Sequence, residues 1–501
     1  MKNYVTGQIR NLGVVAHGGA GKTSLVEAML YNTGVLSRLG RVEDGTTVSD
    51  YHPEEIARQV TIHTSLVPCE WNGIKINLLD TPGFSDFIGE VKGALRVSDA
   101  AMFVVSAVDG VEVQHEVIWD IADDYNLPRI VFVNKMDREN SNFGKVLEDL
   151  KAKFKANFVP VQIPIGSFNT FTGVVDVINE KAYTGEGKGK ETEIPADLAD
   201  DLAAYREQLV EAAAEGDDDL TMKYLEGEEL TPEEIKEGLK KTVAAGKVVL
   251  VLAGSATKNT GVAQLTDVVA DYLPAPKEVD GPMAALVFKT IADPYVGKMN
   301  FLRVFSGKFK SDTVVYNSKK EKNEKIGNVL YVRGKTSVQT GVVPCGDLAV
   351  VVKLQDTAAG DTLCDKDKPV VLEGINFPTP TLTVAIAPKS KNDEDKLGDA
   401  VFKVLEEDPT LRVEKNTETK QTLLIGMGEL HLNIMLEKLK RKYGVDVVMT
   451  DPKVPYRETI RAKVEVEGKH KKQSGGRGQY GHVWIRFEPN PEEDFVFTEE
   501  I

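Results

Sequence analysis

No apolar run in this 501-residue chain approaches the roughly 18 to 20 residues needed to cross a bilayer. The first residues, MKNYVTGQIRNLG, lack the apolar core of a secretory signal. Cysteine is scarce. Cys69, Cys345 and Cys364 are odd in number and far apart, which excludes a disulfide framework and points to reduced thiols, used as small buried hydrophobes, in a cytoplasm. Positive charge is also short, and the net charge of −16 argues at first sight against a nucleic-acid partner. The distribution changes that reading. Residues 191–240 hold 17 Asp and Glu against Arg206, Lys223, Lys236 and Lys240, so the rest of the chain nets only −3. The acidity belongs to one segment, either a set of solvated helix faces or a surface for protein rather than RNA, and other faces are free to be basic.

The length calls for three or four domains. From residue 9, β-branched runs (IRNLGVV, IKINLLD, AAMFVVSA, RIVFVNK) alternate with helix-length segments after Lys22, near 87–97 and near 113–125. That alternation predicts a parallel sheet with helices on both faces. The pattern breaks for an excursion over about 160–245, then resumes with KVVLVLAGSA and a helix ending at Tyr272, so the excursion reads as an insertion before the last strand. The prolines and glycine of 273–282 mark a linker. Residues 283–372 read as a small β-barrel, and NFPTPT marks a further boundary. An α+β unit to about 452 follows, then a new β-rich segment from VPYRETI that the chain, closing on FVFTEEI, is expected to leave incomplete.

Chemistry enters with Ala16, His17, Gly18, Gly19, Ala20, Gly21, Lys22, Thr23 and Ser24, set between a strand and a helix as a phosphate loop requires. Glycines let successive backbone N–H groups turn inward around phosphates, helped by the positive helix end. Lys22 would reach the β- and γ-phosphates, and the Thr23 hydroxyl would bind Mg2+. Asp80, Thr81, Pro82 and Gly83 follow IKINLL, so the Asp80 carboxylate sits ready to hold a magnesium-bound water and Gly83 N–H to meet the γ-phosphate. Asn134, Lys135, Met136 and Asp137 follow RIVFV. There Asp137 can accept both N1–H and the 2-amino group of guanine while the Lys135 stem covers the base; adenine offers no such donor pair. Gly254, Ser255 and Ala256 follow VVLVLA and would bring a backbone N–H to guanine O6. Each tetrapeptide alone could be an ordinary turn. All four, in this order and at strand ends, predict binding of GTP and GDP. In the intervening Arg58, Gln59, Val60, Thr61, Ile62, Thr61 is the threonine expected to complete the magnesium shell when a γ-phosphate is present, with Thr46, Thr47 and Thr64 as alternatives.

This motif order, the insertion and the segments behind it resemble the elongation factor G family, including paralogues of the main translocase. GSATKNTGV (254–262), VADYLPAP (269–276), GMGELHLNIMLEKLKRKYGVDV (426–447), VPYRETI (454–460) and SGGRGQYGHV (474–483) carry the resemblance over essentially the whole chain. It implies a P-loop GTPase domain with an inserted subdomain (1–280, insertion about 160–245), a translation-factor β-barrel (283–372), a ferredoxin-like α+β domain (378–452) and part of a fourth domain (454–501). It also implies a monomeric, cytoplasmic GTPase with no membrane attachment, acting on ribosomal RNA and ribosomal proteins, typically in translocation, with Lys22, Thr61 and Gly83 closest to the hydrolytic step. Lys469, His470, Lys471, Lys472 and Arg477 have a composition suited to phosphate contacts. Lys438, Lys440, Arg441 and Lys442 crowd a helix end, where cations are favoured for structural reasons.

Three departures from the family pattern involve four positions. Gly18 and Gly19 stand where Ile-Asp is common, Gln59 where the family has glycine, and Phe84 where it has the histidine of DTPGH. A phenyl ring cannot hydrogen-bond water. Either hydrolysis is slow, which suits a GTP-dependent ribosome-binding switch, or another group holds the attacking water. A metabolic kinase or ATPase is disfavoured by NKMD.

Overall fold

The computed structural model describes residues 4–293, 296–456, 458–490 and 496–500. Arg457 of VPYRETI, two residues of FVFTEEI and the first three of the N-terminal stretch lie outside the described residues. The first unit is built on a seven-stranded sheet. Its strands are β1 (Ile9–Val15), β2 (Ser65–Trp71), β3 (Ile74–Asp80), β4 (Ala100–Ser106), β5 (Arg129–Asn134), β6 (Asn157–Pro160) and, after the excursion, the strand Val248–Ala253. Spatial order is β2-β3-β1-β4-β5, then Val248–Ala253, then β6. All neighbours run parallel except β2, which is antiparallel to β3.

Continuous β-branched runs are what a sheet covered on both faces requires, and alternate residues divide cleanly between two cores. Leu12, Val14, Met102, Val104, Ile130, Phe132, Leu250 and Leu252 point to one face. Val15, Phe103, Val105, Val131, Val133, Val249 and Val251 point to the other. Helices α1 (Lys22–Asn32), α2 (Pro53–Arg58), α3 (Ile88–Arg96), α4 (Val113–Asp124) and α5 (Phe143–Lys153) fall between the early strands. The antiparallel edge strand β2 escapes sequence reading because Pro68 interrupts it and it shows no polar alternation.

The excursion forms a four-stranded antiparallel sheet of β7 (Gln162–Ile165), β8 (Gly173–Asp176), β9 (Lys181–Thr184) and β10 (Lys190–Thr192), followed by α6 (Ala199–Ala214), α7 (Asp218–Leu225) and α8 (Pro232–Ala244). The start of α8 is set by a capping box: Glu234 N–H donates to Thr231 Oγ1, Thr231 N–H donates to Glu234, and Pro232 stands at the first turn. Val248–Ala253, hereafter β11, returns to the main sheet and enters between β5 and β6, and α9 (Val262–Tyr272) closes the unit.

Behind it lies an eight-stranded sheet of antiparallel pairs within 284–364, with a further two-stranded pair formed by Phe309–Lys310 and Val342–Val343. The next unit alternates strand Leu382–Pro388, α10 (Lys391–Glu407), strands Arg412–Asn416 and Gln421–Gly426, α11 (Glu429–Tyr443) and strand Val447–Thr450 in a βαββαβ order. The strands Val464–Lys472 and Gln479–Phe487 form an exposed hairpin carrying Lys469, His470, Lys471 and Lys472, with Arg477 in its turn. The cations near the end of α11 are engaged structurally: Lys438 and Lys442 on Glu407, Lys440 on Asp446, Arg441 on Glu54. All three cysteines are buried and free, and among the described residues no helix is long and apolar enough to cross a membrane.

Candidate functional site

Parallel strands deliver their carboxyl ends to one edge of the sheet, where an open α/β fold places its ligands. The loops after β1, β3, β5 and β11 meet there. After β1, Gly19 (φ 81°) and Gly21 (φ 95°) take the left-handed conformation that turns the loop's N–H groups inward. A Cβ on Gly21 would lie 2.4 Å from the Asn134 side-chain nitrogen, so glycine is required by crowding as well. Lys22, Thr23 and Ser24 form the first turn of α1 and line the cleft. Lys22 Nζ lies 3.2 Å from His17 O and 3.4 Å from Ala16 O. Burial lowers its amine to about 8, opposed by Asp80 and Asp50. His17 N–H faces His115 Nε2 at 3.4 Å, while Ala16 and Ala20 pack into the core.

Asp80 ends β3 fully buried, and neither carboxylate oxygen has a hydrogen-bond partner. Burial raises it to about 7, and the neighbouring Asp50 adds to the rise while Lys22 opposes it. The Ser49 and Thr23 hydroxyls temper the rise without making a bond of ordinary length. Asp50 is likewise buried with both oxygens unpartnered, and burial raises it too. Such orphaned acceptors are costly unless something binds them. Thr23 and Thr61 hydroxyls lie 2.9 Å apart beside them. This oxygen-rich set fits a magnesium ion with part of its water shell. Asp50 was not legible from the sequence, because only tertiary folding brings it to Asp80. Of the alternative threonines, Thr46 bonds Arg41, Thr64 bonds Glu90, and Thr47 is buried without a partner for its hydroxyl.

The segment holding Thr61 is fixed by another residue that no motif marks. Glu55, fully buried in α2, accepts N–H bonds from Ile62 (3.1 Å) and His63 (3.0 Å). Burial pushes it up to about 7 against the pull of His63. Thr81 is anchored to Val14 O by its hydroxyl at 2.7 Å, and Pro82 leads into Gly83. A Cβ on Gly83 would lie 2.5 Å from Lys22 Nζ and 2.8 Å from Gly18 Cα, so only glycine lets this turn approach the phosphate loop. Phe84 is 41% exposed and its ring lies over Gly18.

At the other end of the cleft, Asn134 ends β5 and ties two loops together. Its amide donates to Ala20 O at 2.9 Å and accepts from Ala256 N–H at 2.9 Å. Asp137 keeps a buried, unpartnered carboxylate oxygen, as an acceptor awaiting donors would. Lys135 is held left-handed (φ 67°), 3.8 Å from Asp109. Met136 instead packs into the core, its backbone N–H on Gly254 O. The turn after β11 differs from expectation. Gly254 N–H donates to Val133 O, Ser255 N–H to Thr260 O and Ala256 N–H to Asn134, so an N–H to guanine O6 requires Ala256 to share or exchange its bond.

Residues 7–275 match the family described as elongation factor Tu GTP binding domain. Residues 282–366 match elongation factor G domain 2, 377–451 its domain III and 452–501 its domain IV. The chain is also similar to a protein of Thermus thermophilus known from a crystal structure. The TM-score is 0.89 at 38% identity, over 97% of this chain and 74% of that one.

Proposed function

We propose, from the premise that this chain belongs to the elongation factor G family of GTP-binding translation factors, that it hydrolyses GTP to GDP and phosphate with Mg2+ in the cleft described above, on the ribosome, as a monomeric cytoplasmic factor in a translocation-like step. The observation that carries the reading is a pair of unpartnered, buried acceptors in the loops at the carboxyl edge of one sheet: Asp80 at the end of β3, near Thr23, and an oxygen of Asp137 just after β5. The first fits a hydrated divalent cation and the second a base with adjacent donors. Inward-turned backbone N–H groups of Gly18, Gly19 and Gly21 with Lys22 would grip the phosphates between them.

Thr23 and Thr61 would ligate magnesium directly, with Asp80 and Asp50 holding its waters. The ion they would hold would supply positive charge that offsets the negative charge of the phosphates. Lys22 and Gly83 N–H stabilise the same charge from the protein side, in a site already shaped for it. Ser255 and Ala256 close the base pocket.

A second reading is favoured by Phe84: a GTP-dependent ribosome-binding switch with weak hydrolysis and no translocase duty. Multiple-turnover hydrolysis by the full-length protein, with and without ribosomes, separates the two. Ribosome stimulation of 10²-fold or more supports the enzyme, on the order of what one well-placed polar group contributes. GTP-dependent ribosome binding without stimulation supports the switch. Equal affinity for GTP and ATP overturns both.

A further inference from the structure

Gln59 and Phe84, two of the positions that depart from the family pattern, both line the phosphate end of the cleft. A Cβ placed on Gly18 would lie 3.2 and 3.3 Å from two ring carbons of Phe84, so the ring occupies the space a side chain at 18 would take. This wall of the cleft is hydrocarbon. Across it, Gln59 terminates α2 with φ 55° and ψ 39°, a left-handed conformation that glycine adopts freely and glutamine does not. A long polar side chain is therefore kept at a backbone position better suited to glycine.

Gln59 is exposed and lines the rim of the same cleft as Lys22, Thr61, Gly83 and Phe84. The Gln59 amide nitrogen donates to Glu43 O at 3.2 Å, which holds the carboxamide in place and leaves Oε1 as an acceptor. The backbone beneath it is rigid, because Glu55 binds the N–H groups of Ile62 and His63 and Thr61 meets Thr23. A fixed acceptor at the mouth of a phosphate site, opposite an apolar wall, is suited to orienting a water molecule.

Resting on the hydrolytic reading above, we propose that Gln59 holds the attacking water in this protein, a task the Phe84 ring cannot perform. The water donates one O–H to Gln59 Oε1 while its oxygen forms a bond to the γ-phosphorus. The bond from that phosphorus to the bridging oxygen breaks with its electron pair on GDP. The water's proton passes to a γ-phosphate oxygen and leaves with inorganic phosphate, so Gln59 is never protonated.

The test is single-turnover GTP hydrolysis on ribosomes by the full-length wild type, Gln59→Gly, and Gln59→Gly combined with Phe84→His. Affinity for a non-hydrolysable GTP analogue is measured alongside. Glycine relieves the left-handed backbone, so a loss in Gln59→Gly cannot come from strain. The expected result is a rate at least tenfold lower with analogue affinity within twofold, and partial recovery when Phe84→His supplies a new polar group. An unchanged rate in Gln59→Gly beside an active wild type overturns the proposal alone. So does a rate loss matched by an equal loss of analogue affinity, which would mark Gln59 as a brace for the Thr61 segment. A wild type that binds GTP and ribosomes but does not hydrolyse overturns the hydrolytic reading and this proposal with it.

Discussion

Asp137 offers the sharpest test at the scale of single residues. Asp137→Asn exchanges an acceptor for a donor, so affinity should pass from GTP to xanthosine triphosphate, and competition binding should show discrimination on the order of 10⁴ reversing. Thr61→Ala tests the magnesium role proposed for this hydroxyl in the triphosphate form. We expect GDP affinity to stay nearly constant while analogue affinity falls roughly ten- to hundredfold, the worth of a hydrogen bond to a charged group; equal losses for both nucleotides would assign the role elsewhere. The residues legible in the sequence are those whose job depends on local backbone: Gly21, Gly83 and Asp80 follow directly from strand-end turns. Asp50 was not legible because only folding brings it near Asp80, and Glu55 because a carboxylate in a polar stretch carries no mark of burial. Gly254, Ser255 and Ala256 follow strand β11, but the internal bonds that engage their N–H groups were not legible.

Among elements, α11 touches both α2, which leads into the Thr61 segment, and the turn that follows Phe84. Its first turn receives Asp86, just beyond Phe84, on His431 N–H at 3.2 Å. Further along, Glu437 pairs with both guanidinium nitrogens of Arg58 (2.8 and 2.7 Å), and Arg441 reaches Glu54 at 2.5 Å. Between them His63 lies 3.9 Å from Glu54 and 3.7 Å from Glu90, with Lys289 bonded to Glu90. Burial alone would lower His63, and Lys438 and Lys289 press the same way, but the two carboxylates prevail and raise it; at these distances they act as ion pairs rather than hydrogen bonds. A raised histidine stabilises the junction fully below its unfolded value of about 6.5, and that contribution is lost as pH climbs through the folded value. Hydrogen exchange in α2 should therefore quicken from pH 6 to pH 9 in the wild type and show no such step in His63→Gln. Glu54→Gln leaves His63 with Glu90 alone and removes the partner of the half-exposed Arg441, and should cost about 1 to 2 kcal/mol, read as a lower Tm. Nothing in the local pattern of PEEIAR announces this junction, since its partners come from α3, α11 and the second unit.

Across the whole molecule, the first two units are joined by a buried polar seam. Lys75 is held by both oxygens of Asp347 (2.8 and 2.7 Å) and lies 3.8 Å from the Tyr331 ring centroid, while Arg303 pairs with Asp99 at 2.5 Å. Asp347→Ala leaves a buried ammonium uncompensated, at about 3 to 5 kcal/mol, and should split one denaturation transition into two. The second unit also covers the open edge of the first: Arg333 Nε donates to Pro68 O at 2.8 Å and Gly334 N–H to Leu66 O at 3.1 Å. That contact guards a strand edge that would otherwise be free to pair with another chain.

The place of β11 has a consequence for how this protein comes into being. Its slot between β5 and β6 stays open until Val248 is made, and residues 161–247 must be synthesised first. At ~5–20 residues per second, the nascent chain spends on the order of ten seconds with the apolar edge of β5 uncovered and β6 still waiting for β11, its partner in the sheet. Intruding strands, from this chain or a neighbour, compete for that slot throughout the wait. Release of chains ending just before Val248 should give aggregates that bind chaperones, whereas chains ending after Tyr272 should stay in solution. The sheet is thus finished from the inside, by the last strand to arrive.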